Sequence, residues 1–250
     1  MAGMVKLGLI GKPSDWLIAS TYRTDILLSR LGMEIVDIPI EEVTSLGEVD
    51  GGIDGANLIY LRLRDIVQHY QLDGITLRCF DLLTTVKNTG CIALSRLNDD
   101  GIVATCEGDV PTLVTMMLAK QITGCPGFQC NPARIDTTKQ QMLFAHCTIP
   151  LCMCENHTLT THFESGIGVA IHGELPIGNY TLTKVSGDLS RVYASDITLI
   201  RNQYEPNLCR TQVWLQVNKG DIHYFLTEPI ANHHVIVPGH HADEIKQLLS

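Results

Sequence analysis

The 250-residue chain has no uninterrupted apolar run approaching the ~20 residues that a membrane-spanning helix needs. Its first residues, Met1-Ala2-Gly3-Met4-Val5-Lys6, lack the basic stretch followed by a long apolar one that marks a secretion signal. It also lacks basic excess. A formal net charge of -9 argues against nucleic acid or an anionic membrane as the main partner, because both reward a basic face. No internal repeat or low-complexity segment interrupts it, so solenoids and disordered linkers drop out. No Cys-x-x-Cys pair of the structural zinc type is present. The nine cysteines are an odd number scattered through apolar runs, the usage expected of free thiols in a reducing cytoplasm. Cys147, Cys152 and Cys154 beside His146 form the one cluster that invites a soft metal site.

The chain does contain two kinds of periodicity. From the start to residue 141, strand-like and helix-like segments alternate. Strands are expected at Val5–Ile10, Glu34–Ile38, Gly74–Cys79 and Ile102–Cys106, with a short one near Phe128–Cys130. Helices are expected from the Ser14-Asp15 cap to Leu31, over Leu58–Tyr70, and over Val110–Thr123. That alternation predicts a parallel sheet covered on both faces, an α/β sandwich of Rossmann-like type. From 142 to 250 the pattern changes to short β-branched runs punctuated by glycine and proline: Gly166–Ile171, Tyr180–Val185, Thr198–Ile200 and Thr211–Val217. This predicts a smaller antiparallel β-barrel domain, closed by a helix over Ala242–Leu249. The junction of two such units is a favoured place for a ligand pocket.

One carboxylate stands out. In Ile102-Val103-Ala104-Thr105-Cys106-Glu107-Gly108-Asp109-Val110-Pro111, Asp109 and Pro111 already supply the helix start. Glu107 is therefore left over at the carboxyl end of a strand, where α/β sheets place their chemistry. His146 interrupts the apolar strand Met142-Leu143-Phe144-Ala145-His146, and His233 sits between Asn232 and His234 just before the apolar Val235-Ile236-Val237. On spacing alone each histidine reads equally well as a satisfied core or turn residue. Ser14 and Trp16 lie after the first strand, where a ligand-facing loop belongs and where an indole suits a sugar face. His162 and Glu164, in a strand before Gly166-Ile167-Gly168, are candidate partners for sugar hydroxyls.

Taken in order, Gly11-Lys12-Pro13-Ser14-Asp15-Trp16, Cys106-Glu107-Gly108-Asp109, Asn131, Phe144-Ala145-His146, His162-Phe163-Glu164-Ser165-Gly166 and Asn232-His233-His234 resemble the L-fucose isomerase and L-arabinose isomerase superfamily. The resemblance implies an intramolecular oxidoreductase that interconverts an aldose and a ketose through an enediol with Mn2+ or another divalent cation. It implies Glu107 as catalytic acid/base and metal ligand, with His233 and, as in the arabinose branch, His146 as further ligands. Ser14, Trp16, Asn131, His162 and Glu164 would meet the substrate. It also implies a cytoplasmic homo-oligomer, trimeric or hexameric, whose site a neighbouring subunit completes.

Two departures stand beside the resemblance. Where the family carries a second carboxylate this chain has Asn131, which can offer a carbonyl oxygen but cannot carry a proton. The family's larger members also have an additional amino-terminal domain, so the chain corresponds to a short homologue, a fragment, or one half of a two-chain enzyme. The rival expectation is a non-catalytic sugar-binding or regulatory homologue.

Overall fold

In the computed structural model, which describes residues 4–249, the order of elements follows the two periodicities. The first part runs β1 (Val5–Ile10), α1 (Thr24–Leu31), β2 (Met33–Ile38), α2 (Glu41–Thr44), α3 (Ile53–Tyr70), β3 (Gly74–Leu77), α4 (Leu82–Thr85), α5 (Cys91–Asp99), β4 (Val103–Cys106) and α6 (Val110–Thr123). The four strands form a parallel sheet in the order β2-β1-β3-β4. Both faces are covered, as continuous apolar strands require. One side buries Ile10, Ile75 and Leu77 against Ile59 and Leu63 of α3 and Leu94 and Leu97 of α5. The other buries Leu7, Leu9 and Val103 against Leu27 of α1 and Leu113 of α6.

The second part is β5 (Phe128–Asp136), β6 (Gln141–His146), β7 (Asn156–Thr160), β8 (Ala170–Glu174), β9 (Gly178–Val185), β10 (Val192–Gln203), β11 (Thr211–Gln216), α7 (Lys219–Thr227), β12 (His234–Pro238) and α8 (Ala242–Gln247). Six of these strands close into a barrel, β10-β11-β6-β5-β12-β9, while β7 and β8 pair as a separate ribbon. Alternate residues such as Phe128, Phe144, Leu182, Leu199, Leu215 and Ile236 gather into one core. Burying each such side chain contributes roughly 1.5–3 kcal/mol. Helix α6 joins the two parts, because the cluster that holds Leu113 and Val114 also holds Val185, Val235 and Val237 of the barrel.

Several local expectations are corrected. Residues 11–23 do not form a helix; regular helix begins only at Thr24. Ser14 and Asp15 therefore cap nothing, and the segment is held by long-range hydrogen bonds described below. The strand at Phe128 pairs with β6 and β12, both antiparallel, so it belongs to the barrel and not to the parallel sheet. Barrel structure thus begins inside the 1–141 segment. His162 and Glu164 lie in a turn between β7 and β8, where the backbone N–H groups of Ser165 and Gly166 fold back onto His162. All nine cysteines are free. They do not make a zinc site: Cys147 is buried with Cys91 while Cys152 is exposed, and among the described residues no set containing them has metal-ligand spacing. No helix among the described residues is long and apolar enough to cross a membrane.

Candidate metal centre

The carboxyl end of β4 meets the mouth of the barrel, and the backbone there is forced into a narrow turn. Glu107 has φ +67°, a left-handed conformation that costs a side-chain-bearing residue of order 1–3 kcal/mol. Gly108 follows at φ +61°, and a Cβ on it would stand 2.4 Å from the Lys12 carbonyl oxygen. Tertiary bonds hold the turn. The Ser14 hydroxyl donates to the Glu107 carbonyl, and Gly108 N–H donates to the Leu77 carbonyl at 3.1 Å. Such strain at a strand end is where sites form, and here it turns the Glu107 side chain away from α6 towards the barrel.

Two imidazoles meet it. His146 ends β6 on the same side as Met142 and Phe144, so it emerges at the barrel mouth. His233 precedes β12 with the parity of Val235 and Val237, which face α6. Its neighbour His234 has the opposite parity and bonds to the Tyr224 hydroxyl at 2.9 Å inside the barrel. The nearer Glu107 oxygen, Oε1, lies 3.3 Å from His233 Nε2 and 3.6 Å from His146 Nε2. Among the described residues, Glu107, His146 and His233 are the set of three acidic, thiol or imidazole side chains whose donor atoms lie within 4.8 Å of one another. Both imidazoles are buried, and the Glu107 side chain is 13% exposed.

The two histidines are held differently. His233 Nδ1 lies 2.9 Å from Asp109 Oδ2, and since a carboxylate only accepts, Nδ1 carries the proton. That leaves Nε2 fully buried and facing Glu107 Oε1 at 3.3 Å without a well-formed hydrogen bond. A buried polar atom without a partner calls for an explanation such as an ion, and a carboxylate orienting the far nitrogen of an imidazole is the arrangement found behind metal-binding histidines. His146 Nδ1 instead accepts a long 3.3 Å bond from Thr148 N–H, which places its neutral proton on Nε2 towards Glu107. To ligate through Nε2, His146 would give up that bond and carry its proton on Nδ1. One carboxylate oxygen and two imidazole nitrogens suit a first-row divalent cation; the residues present fit the group.

Electrostatics agree with the geometry. Burial opposes the Glu107 charge, but the facing His233 and His146 outweigh it and hold the carboxyl well below the usual range. Burial would neutralise His233, yet the charges of Glu107 and Asp109 raise it to about 9. Burial dominates at His146 and lowers it. Without a cation, a proton on His233 answers the Glu107 charge.

Behind His233 sits a group that sequence reasoning missed. Asp109 was expected to cap α6, and it does, accepting from Thr112 N–H at 2.8 Å. It also lies 3.4 Å from the Lys184 ammonium, which is completely buried in β9 and hydrogen-bonded to the Thr112 hydroxyl. Burial works against the Asp109 charge, and Lys184 with His233 overcomes it, lowering the carboxyl to about 2. A lysine among Thr181-Leu182-Thr183 and Val185, in a strand buried on both sides, was the available signal.

In front of the centre a cavity of about 760 Å³ opens, with Glu107, Asn131, Glu164 and Asn232 as its polar lining. Trp16, Phe80 and Phe225 supply apolar wall. Trp16 Nε1 donates to Glu107 Oε2 at 2.8 Å, the indole lies edge-on to Phe80 at 5.4 Å, and the Arg78 guanidinium stacks 4.7 Å from its ring. Ile18 N–H donates to Asn232 Oδ1 at 2.5 Å, so the 11–23 segment bridges Glu107 and the residue beside His233. Of the remaining expected substrate contacts, Ser14 is fully buried with its hydroxyl spent on the backbone. His162 is turned behind Phe80, its Nδ1 3.0 Å from the Ser165 hydroxyl, and does not line this cavity.

No family model matches the chain. Among curated proteins it is similar to a sulfoquinovose isomerase of Clostridium sp. (strain MSTE9), 27% identical over 121 residues that make up 48% of this chain and 26% of that protein. It is also similar to the sulfoquinovose isomerases of Priestia aryabhattai and Priestia megaterium (strain ATCC 12872 / QMB1551). Each is 27% identical over 211 residues, covering 73% of this chain and 47% of the relative. The matched stretch spans less than half the length of each relative.

Proposed function

We propose that the chain is a metal-dependent aldose-ketose isomerase-like protein of carbohydrate metabolism, resembling the fucose and arabinose isomerases and acting through an enediol on a sugar or sugar derivative. The observation that carries this reading is the convergence of Glu107, His146 and His233 with an unpartnered, Asp109-oriented His233 Nε2, at the wall of a cavity large enough for a monosaccharide. Similarity to three proteins named sulfoquinovose isomerase supports it. Glu107, His146 and His233 would hold a divalent cation, manganese by resemblance, which when bound polarises a sugar's carbonyl and adjacent hydroxyl oxygens. Trp16 gives the sugar an apolar face to lie on while fixing Glu107 Oε2, and Asn131 and Asn232 offer neutral hydrogen bonds to hydroxyls. A cytoplasmic homo-oligomer, trimeric or hexameric, belongs to the same reading, and so does a second chain supplying an amino-terminal domain.

The reading is tested by incubating the manganese-loaded protein in deuterium oxide with pentoses, 6-deoxyhexoses and sulfoquinovose. Deuterium at carbon 2 of at least one sugar is the expected result. A metal-loaded protein that exchanges none of them while still binding a sugar is the outcome favoured by the second reading, a non-catalytic sugar-binding or partner subunit, for which the neutral Asn131 on the cavity wall speaks.

A further inference from the structure

Glu107 supplies one carboxylate to this cavity, where the resemblance implies two. Its Oε1 faces both imidazoles and its Oε2 accepts from the Trp16 indole, so it stands between the histidines and the cavity wall. Asn131, on the same wall, is a carboxamide and cannot take a proton. Asn232 is likewise neutral, and its side-chain oxygen is occupied by Ile18 N–H. Among the described residues lining the cavity, one other ionisable side chain is left. Glu164 reaches that wall from the turn between β7 and β8, and among the described residues nothing donates a hydrogen bond to its carboxylate. Partial burial, and after it the neighbouring Glu107 charge, push its carboxyl up.

We propose that Glu164 is the proton-transferring base of this site, taking the place of the carboxylate that Asn131 lacks. The inference rests on the isomerase reading and deepens it. Glu164 removes the proton from the carbon that bears the hydroxyl next to the sugar carbonyl, and that C–H electron pair becomes the carbon-carbon double bond of an enediol. The carbonyl oxygen gains a proton as the neighbouring hydroxyl gives one up. The Glu164 carboxylic acid then returns its proton to the former carbonyl carbon. One hydrogen has moved between carbons and one between oxygens, with no oxidant or reductant required.

The test uses the manganese-loaded full chain in deuterium oxide, with whichever sugar of the panel the wild type exchanges. Glu164→Gln, a substitution on an exposed turn, is expected to lower exchange at carbon 2 by about 10²–10⁴-fold, with manganese affinity unchanged and sugar affinity within a few-fold. Glu164→Asp should keep part of the rate, and the acidic limb of the wild-type pH profile should vanish in Glu164→Gln. Exchange within a few-fold of wild type in Glu164→Gln overturns the role of Glu164 and leaves the isomerase reading standing. A parallel loss of manganese binding in Glu164→Gln overturns it too, by showing a structural role. Absence of exchange by the wild type across the panel removes both inferences.

Discussion

Asp109→Asn separates what holds His233 from what holds the fold. Asn can still cap α6, because its carbonyl accepts from Thr112 N–H as Asp109 does at 2.8 Å. It cannot balance Lys184, whose side chain is 0% exposed and whose ammonium lies 3.4 Å from the Asp109 carboxylate. Leaving a buried charge without its partner costs about 3–5 kcal/mol. For a chain of this size that lowers Tm by roughly 6–20 °C, taking about 2–4 °C per kcal/mol. The same substitution weakens the acceptor that fixes the His233 tautomer, and losing such an orienting group lowers metal affinity about 10–100-fold. Lys184→Met is the companion. It too breaks the buried pair and lowers Tm by a similar amount, but it leaves the Asp109 carboxylate 2.9 Å from His233 Nδ1. Thermal melts and calorimetric manganese titration of the two variants, both below their melting temperatures, should show parallel losses of stability and divergent metal affinities: reduced in Asp109→Asn, undiminished in Lys184→Met. Equal manganese affinities in the two variants would refute the claim that Asp109 orients His233.

Two more outcomes follow from the site's geometry. Gly108→Ala must place a Cβ 2.4 Å from the Lys12 carbonyl at φ +61°, so it should lose more than the ~1–2 kcal/mol of left-handed strain alone, read as a fall in the denaturant midpoint; a variant as stable as wild type would contradict the turn. Because Trp16 touches Glu107 while Trp214 pairs with Gln203 at 2.6 Å on the barrel, manganese should quench tryptophan fluorescence in Trp214→Phe but not in Trp16→Phe. Quenching confined to Trp214 would place the ion elsewhere.

Periodicity carried the fold a long way, because strands covered on both faces and helices with one apolar face leave distinct patterns. It went astray where tertiary bonds overrode local signals. Ser14 and Asp15 look like a helix cap, yet Ser14 is consumed by the Glu107 carbonyl and Ile18 by Asn232, so the chain stays irregular until Thr24. The Phe128 run read correctly as a strand, but nothing local says which sheet a short apolar strand joins, and the bulge between Pro132 and Arg134 hides its length. Helix α7 had a legible start, the Asn218–Asp221 capping box, which was overlooked. Glu107 was visible because Asp109 made it redundant as a cap. His146 and His233 were ambiguous alone and gained meaning from a family resemblance. The Lys184–Asp109–His233 chain was invisible, since burial of a lysine is a property of the packed barrel.

The central claim is that Glu107, His146 and His233 form one cation site. Equilibrium binding of Mn2+ to the wild type and to Glu107→Gln tests it most directly. The account predicts one tightly held ion per wild-type chain and a much weaker affinity in the variant, because a charge-neutral amide then faces the two imidazoles. Binding of equal strength in both proteins, or none in either, would contradict it.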